Sequence, residues 1–127
     1  MSKVKLPIKI LPKVDRALNR QDPVVALEST IIAHGFPWPH NLHLAQELES
    51  SIEEAGAVPA TIAIIDGIIR IGCTDRELER VALGKNFDKI SRQNLITTLA
   101  GGKSGATTVA GTMICAALAG IRLLATG

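Results

Sequence analysis

Residues 41–71 read NLHLAQELESSIEEAGAVPATIAIIDGIIRI, and this stretch decides the fold class. Its first half follows a helical pattern. Leu42, Ala45, Leu48, Ile52 and Ala55 recur at helical spacing, while Glu47, Glu49, Glu53 and Glu54 largely face elsewhere. Asn41 is placed to cap this helix and Gly56 to stop it. Thr61 to Ile65 is then a dense apolar run ending at Asp66-Gly67, a turn signal, and Ile68 to Ile71 follows. The two runs read as a β-hairpin. A helix feeding directly into paired strands points to an α/β chain.

The same alternation extends outward. Upstream, Val24 to Leu27 is a short apolar run after Pro23 and reads as a strand, with Glu28-Ser29-Thr30 directly behind it. Residues 1–22 read as a loosely attached lead-in with a short helix around Lys13 to Asn19. The segment from His34 to His40 resists regular structure because Pro37 and Pro39 flank Trp38. Downstream, Thr74 and Glu77 form a Thr-x-x-Glu capping box for a helix through Leu78 and Val81 that stops near Gly84. Ser91 is placed to cap a short helix from Arg92 to about Leu99. Gly101 to Gly105 is a glycine-rich loop expected to open a helix of small residues, Ala106 to Ala119, stopped by Gly120. Ile121 to Ala125 is a final strand, and the sequence ends at Gly127. In open α/β sheets, ligands collect outside the carboxyl ends of strands. The sequence therefore stops where a functional loop is expected to begin.

Composition excludes several classes. With 46% hydrophobic residues, the chain is not a disordered tail. Aromatic residues make up only 2% and Tyr is absent, so the core must be built from Val, Ile, Leu and Ala. Stacking platforms for bases are nearly lacking, which argues against a single-strand nucleic-acid binder. Fourteen Lys and Arg against twelve Asp and Glu give a net charge of +2. Apart from Lys3, Lys5, Lys9 and Lys13 the basic residues are scattered, too thinly for a nucleic-acid footprint. Cys73 and Cys115 form no CxxC pair and fit a reducing cytoplasm, as small buried hydrophobes. No apolar run follows the N-terminal lysines, so no signal peptide is expected. Gly111, Gly120 and Arg122 interrupt the most apolar stretch, Ala106 to Ala125, and favour a buried helix and strand over a membrane span.

Several residues carry candidate chemistry beside a plainer role. Glu28, at the end of an apolar strand, suits a general acid, or else a turn cap. His34, His40 and His43 cluster in sequence, but no HExxH pattern completes a metal site, and capping or surface roles suit them better. Lys89 and Arg92 are placed to meet an anionic substrate, or to be two solvated charges at a helix start. The segment Gly101 to Thr108 combines backbone access, a helix N-terminus and the Thr107 and Thr108 hydroxyls, which suits phosphate; a tight turn between packed helices is the alternative. It is not a P-loop, because Thr97 stands where the first glycine is required. Asp66 in the hairpin turn and Asp75 in a capped first turn have sufficient structural explanations. Trp38 suits a lid or a wedge equally.

Four separated stretches resemble one family in order and spacing. They are Ala26 to Gly35 (ALESTIIAHG), Gly56 to Ala63 (GAVPATIA), Lys89 to Arg92 (KISR) and Gly105 to Ala110 (GATTVA). The family is that of the pseudouridine-5′-phosphate glycosidases, or pseudouridylate synthases, grouped with the indigoidine synthase A proteins. The resemblance covers about residues 22 to 127. It implies a three-layer α/β/α fold with a mixed sheet, of which residues 23–127 form the N-terminal part of a single domain. It also implies reversible cleavage of pseudouridine 5′-phosphate to uracil and ribose 5-phosphate. The broken bond is carbon–carbon, so the family opens the ribose ring and forms a Schiff base with a lysine. A carboxylic acid shuttles protons, and a divalent metal, usually manganese (Mn2+), assists.

Carried over by position, Glu28 matches the proton donor, and Lys89 and Val109 match substrate-contacting positions. Thr108 is added from the helix-terminus argument alone. The resemblance further implies a cytoplasmic homotrimer acting on a small molecule, with neither nucleic acid nor membrane as partner. It puts the metal-binding aspartate shortly beyond the position where this sequence ends, and the Schiff-base lysine further on. Neither Lys85 nor Lys103 stands in the nucleophile's place. The expectation is therefore a chain that holds the acid and part of the substrate cradle and is inactive alone. Two other readings compete: a non-catalytic subunit that binds phosphate sugars or pairs with a separate C-terminal chain, and a sugar-kinase relative. The latter lacks the kinase glycine-and-aspartate signature.

Overall fold

The run Val58–Ile65 is the central strand of a seven-stranded mixed sheet. The computed structural model describes residues 6–126; Lys3, Lys5 and Gly127 lie outside the described residues. The strands are β1 (Ile8–Ile10), β2 (Val24–Leu27), β3 (Val58–Ile65), β4 (Ile68–Ile71), β5 (Phe87–Ile90), β6 (Ser104–Thr107) and β7 (Leu123–Ala125). The helices are α1 (Pro12–Asn19), α2 (His40–Glu54), α3 (Asp75–Leu83), α4 (Leu95–Ala100) and α5 (Val109–Ala119), and a π-helical turn spans Ile31–Gly35.

β3 is a continuous apolar run because both of its faces are covered. Successive strand residues point to opposite faces. Ala60, Ile62 and Ile64 enter a core shared with Val14 and Ala17 of α1, Leu95 of α4 and Cys115 and Ala116 of α5. Ala63 and Ile65 enter a second core with Ile32, with Ala45 of α2 and with Leu78, Val81 and Ala82 of α3. The result is the expected three-layer α/β/α arrangement with a mixed sheet.

The hairpin forms as read. Ile65 pairs with Ile68 across the two-residue Asp66-Gly67 turn. Both turn residues have positive φ, 51° and 77°, as a type I′ turn requires. On the other edge of β3, Val58 to Thr61 pair in parallel with β2, and Ala63 and Ile64 pair antiparallel with β6. The carboxyl ends of β2 and β6 therefore meet head-on along one edge of the central strand.

Four sequence expectations are corrected. Residues 8–22 are not a loose lead-in: β1 pairs in parallel with β4, and Val14 and Ala17 of α1 are buried in the core. The Ile-Lys-Ile strand is too short to stand out in a sequence rich in lysine. The glycine-rich loop does not open a helix. Gly101 and Gly102 turn the chain from α4 into β6, whose four residues are all buried, and the helix starts only at Val109. Gly105 is required within β6 because a Cβ there would overlap the Ile90 side chain on the parallel neighbour β5. Ser91 is not a helix cap; its N–H donates to Asn94 Oδ1, while Asn94 Nδ2 donates to the Lys89 carbonyl. Asn41 lies inside α2 and is buried, with Nδ2 donating to the carbonyls of Ile32 (2.7 Å) and Ala82 (2.6 Å). By contrast the Thr74–Glu77 capping box is present in full, and Gly84 closes α3 in the left-handed region.

Glu49 on α2 accepts a 2.6 Å hydrogen bond from the Thr61 hydroxyl of β3. Burial pushes its carboxyl above the usual carboxylate range, only partly offset by that bond and by Lys13. A carboxyl whose pKa rises on folding supports the fold below its unfolded pKa and loses that support as pH rises through the folded value. Glu49→Gln keeps an acceptor for Thr61 and removes the ionisation. Thermal melts are expected to show the variant gaining stability over the parent at neutral pH, with the two converging near pH 4. A difference independent of pH would contradict this reading.

Candidate active site

The head-on meeting of β2 and β6 gathers the candidate residues. Ser29, directly after Glu28, is fully buried, as are Thr107 and Thr112. The Ser29 N–H donates to the Thr107 carbonyl (3.1 Å) and the Thr107 N–H donates to Ser29 Oγ (2.8 Å). The Thr107 hydroxyl donates to the Ile62 carbonyl (2.8 Å) and lies 2.7 Å from the Thr112 hydroxyl. Thr30 Oγ1 donates to the Ala106 carbonyl. These bonds clasp two strand ends that share no ladder of their own, and they satisfy polar groups that burial would otherwise penalise. Ser29 and Thr112 were not singled out from sequence. Ser29 adjoins Glu28 in sequence, but Thr112 lies one helical turn after Thr108, and no periodicity marks either.

Each candidate lies within one residue of this clasp or of its continuation. Glu28 follows β2, is half-buried, and accepts a bond at Oε1 from the Thr126 hydroxyl (3.1 Å) just after β7. Thr108 follows β6 and caps α5. Its hydroxyl donates to the Ile90 carbonyl (3.1 Å) and accepts from the Gly111 N–H (3.2 Å), and its N–H donates to the same Ile90 carbonyl. The Thr108 hydroxyl is thus already engaged by the fold. Val109 opens α5 and is exposed. Lys89 precedes Ile90 on β5, pairs in register with Ala106 of β6, and is exposed. Gly111 permits this junction, since a Cβ there would overlap the Ile90 carbonyl oxygen. Glu28 and the N-terminal end of α5 therefore lie where the carboxyl ends of β2 and β6 meet, and Lys89 lies one residue before the end of the neighbouring β5.

Two depressions framed by charged residues lie elsewhere. One of about 660 Å³ is bounded by Asp22, Val24, Gly120 and Arg122, at the amino ends of β2 and β7. Another of about 460 Å³ is bounded by Asp66, Lys85, Asp88 and Lys103, at the amino ends of β5 and β6. Chemistry in open α/β sheets belongs at the opposite, carboxyl ends, so the strand ends beside Glu28 are the stronger candidate. The plainer readings hold for other residues. Asp66 is bound bidentately by Arg80 (2.8 and 3.0 Å), which holds its carboxyl below the usual range. His34, His40 and His43 are exposed, with His40 edge-on to Phe36 at 5.6 Å. Among the described residues no three His, Cys, Asp or Glu side chains are grouped to hold a metal ion. No helix among them is long and apolar enough to cross a membrane.

Neither thiol is poised as a nucleophile. Cys73 is buried and donates to the Thr61 carbonyl, and desolvation pushes its pKa far up. Burial likewise pushes Cys115 up to about 11. The thiolate is the reactive form. Thiol reagents at neutral pH are expected to leave both cysteines unmodified in the folded chain and to label both in denaturant. Rapid labelling of the folded chain would contradict the burial.

Residues 13–127 match the family model described as indigoidine synthase A like protein. The chain is 58% identical over 120 residues to a pseudouridine-5′-phosphate glycosidase of Solibacter usitatus, covering 94% of this chain and 40% of that protein. It is 52% identical over 131 aligned positions to one of Escherichia coli, covering 100% of this chain and 42% of that protein. Among solved structures, it superposes on the prealnumycin C-glycosynthase AlnA, in complex with ribulose 5-phosphate, with a TM-score of 0.85 and 40% identity, covering 98% of this chain and 40% of that one. An indigoidine synthase A-like protein of Thermotoga maritima gives a TM-score of 0.85 at 28% identity, covering 100% and 41%. The chain spans about two fifths of the length of the relatives it matches.

Proposed function

Because the chain belongs to the indigoidine synthase A like family, we propose that it supplies the proton-donor half of a C-glycosidase acting on pseudouridine 5′-phosphate. The reaction adds water across the carbon–carbon glycosidic bond and yields uracil and ribose 5-phosphate, reversibly. Glu28 is the general acid and base. Its carboxyl stands at the end of β2, held through Oε1 by Thr126, so that Oε2 is left to exchange a proton with the substrate. Lys89 meets the anionic sugar phosphate as a point charge, Val109 packs against the substrate, and the Thr108-capped end of α5 adds a favourable dipole. These roles rest on the resemblance and on one observation: the Ser29–Thr107 clasp joins the segments carrying Glu28, Thr108 and Val109, and β6 pairs with the strand that carries Lys89. A solved relative in complex with ribulose 5-phosphate supports a pentose 5-phosphate as the ligand class.

The family's Schiff-base lysine is proposed to have no counterpart among these 127 residues, and these residues on their own are proposed not to turn over. The divalent metal, proposed to be manganese, would lower charge and fix orientation in the assembled enzyme. Its ligands would also come from outside the described residues, and no step above passes through it. The assembled enzyme is proposed to be a cytoplasmic homotrimer.

Calorimetric titration of the folded chain with ribose 5-phosphate tests the half-site. Saturable binding that weakens about tenfold or more in Lys89→Ala is expected, the loss of one charge-assisted contact. A folded chain that binds no ribose 5-phosphate would overturn a preformed cradle.

A further inference from the structure

Three hydroxyl side chains, Ser29, Thr107 and Thr112, are fully buried and bonded to one another where β2, β6 and α5 meet. The direction of each bond follows by elimination. The Thr107 hydroxyl lies 2.8 Å from the Ile62 carbonyl, which can only accept, so its single proton is committed there. The Ser29 and Thr112 hydroxyls, at 3.3 and 2.7 Å, must then both donate to Thr107 Oγ1. The Ile62 carbonyl itself lies between the last pair of β2, Leu27 with Thr61, and the last pair of β6, Ala106 with Ala63. One oxygen atom therefore fixes α5, through Thr112, against the segment that follows Glu28, through Ser29, and against the central strand.

Packing alone does not call for such a network. Apolar side chains of the same shape at all three positions would fill the space at little cost in stability. What a fully satisfied buried network supplies is a single arrangement of the elements it joins. Here those elements carry the candidate site. Thr112 lies one turn along α5 from Thr108, whose carbonyl accepts from the Thr112 N–H (2.8 Å), and Val109 opens the helix between them. Glu28 directly precedes Ser29. We propose that Thr112 is a positioning residue: through the Thr107 hydroxyl it holds the first turn of α5, with Val109, at a fixed place relative to Glu28. Thr112 is fully buried and acts through Thr107, without touching substrate. The inference rests on the proposed reaction, in which Val109 meets the substrate and Glu28 exchanges the proton.

Calorimetric titration with ribose 5-phosphate separates two quantities. The stoichiometry reports how much of the chain is competent, and Kd reports how its contacts are arranged. Thr112→Val deletes the hydroxyl at nearly constant shape and is expected to weaken binding about fivefold with the stoichiometry unchanged. Thr112→Ser keeps the hydroxyl and is expected to bind within about twofold of the parent. Ser29→Ala interrupts the network at its other end and is expected to match Thr112→Val. A merely space-filling role reverses the order at position 112, since serine leaves a methyl-sized hole and valine does not. That reversed order, or a lower stoichiometry at constant Kd, would overturn the proposal. Amide exchange followed by NMR needs no ligand. In Thr112→Val the Ser29 and Thr107 N–H groups are expected to exchange at least about tenfold faster, while the core residues Ile64 and Ile69 keep their rates. If the parent itself bound no ribose 5-phosphate, the preformed cradle would fall, and exchange would decide the positioning role by itself. Unchanged rates at Ser29 and Thr107 would overturn it.

Discussion

Glu28→Gln is expected to lower kcat about 10²–10⁴-fold in the enzyme assembled from this chain and the remainder of a relative, the range seen when a positioned acid–base group is lost. KM is expected to change little, because the amide keeps the shape of the side chain and can still accept from Thr126. Steady-state release of uracil checks both constants. A Thr126→Val variant should cost far less, since it loosens the carboxyl without removing its proton. If Glu28→Gln raised KM and left kcat intact, the residue would be a binding group, and the proton would have to come from elsewhere.

The largest effect on stability is expected at Asn41. Asn41→Asp preserves shape but replaces the Nδ2 donor with an acceptor, set against the carbonyls of Ile32 and Ala82. Two buried carbonyls lose their partner and face a carboxyl, at a cost of roughly 3 kcal/mol or more. Urea unfolding should show a lowered midpoint with an unchanged slope. Asn41 ties α2 and α3 to the π-helical turn that begins three residues after Glu28, so the loss should also loosen the site. A variant as stable as the parent would mean that the three elements are held by apolar packing alone.

The parts of this fold legible in sequence were those whose own residues dictate them. The Asp66-Gly67 turn needs two positive φ angles, and the capping box needs Thr74 and Glu77 three apart; both formed as read. β5 and β6 were missed because tertiary context decides them. Phe87–Ile90 carries Asp88 and Lys89 side by side on an exposed edge, which breaks any alternation. Ser104–Thr107 resembles a loop because Ile90 leaves room only for glycine at position 105. Asn41 looked like a cap because its type favours caps, but its partners are 9 and 41 residues away. At the candidate site, Glu28, Lys89 and Val109 were named through resemblance, and Thr108 through the logic of helix ends. The clasp that brings their segments together was not legible. Ser29 and Thr107 are 78 positions apart, and nothing in their local sequence announces the contact.

The most direct test of the account is to follow uracil release from pseudouridine 5′-phosphate, with manganese present, for the 127-residue chain alone and for the chain combined with the remainder of a relative. The account predicts no turnover alone and turnover in the combination, abolished by Glu28→Gln. Turnover by the chain alone at a comparable rate, or none in a combination that forms a one-to-one complex, would contradict it.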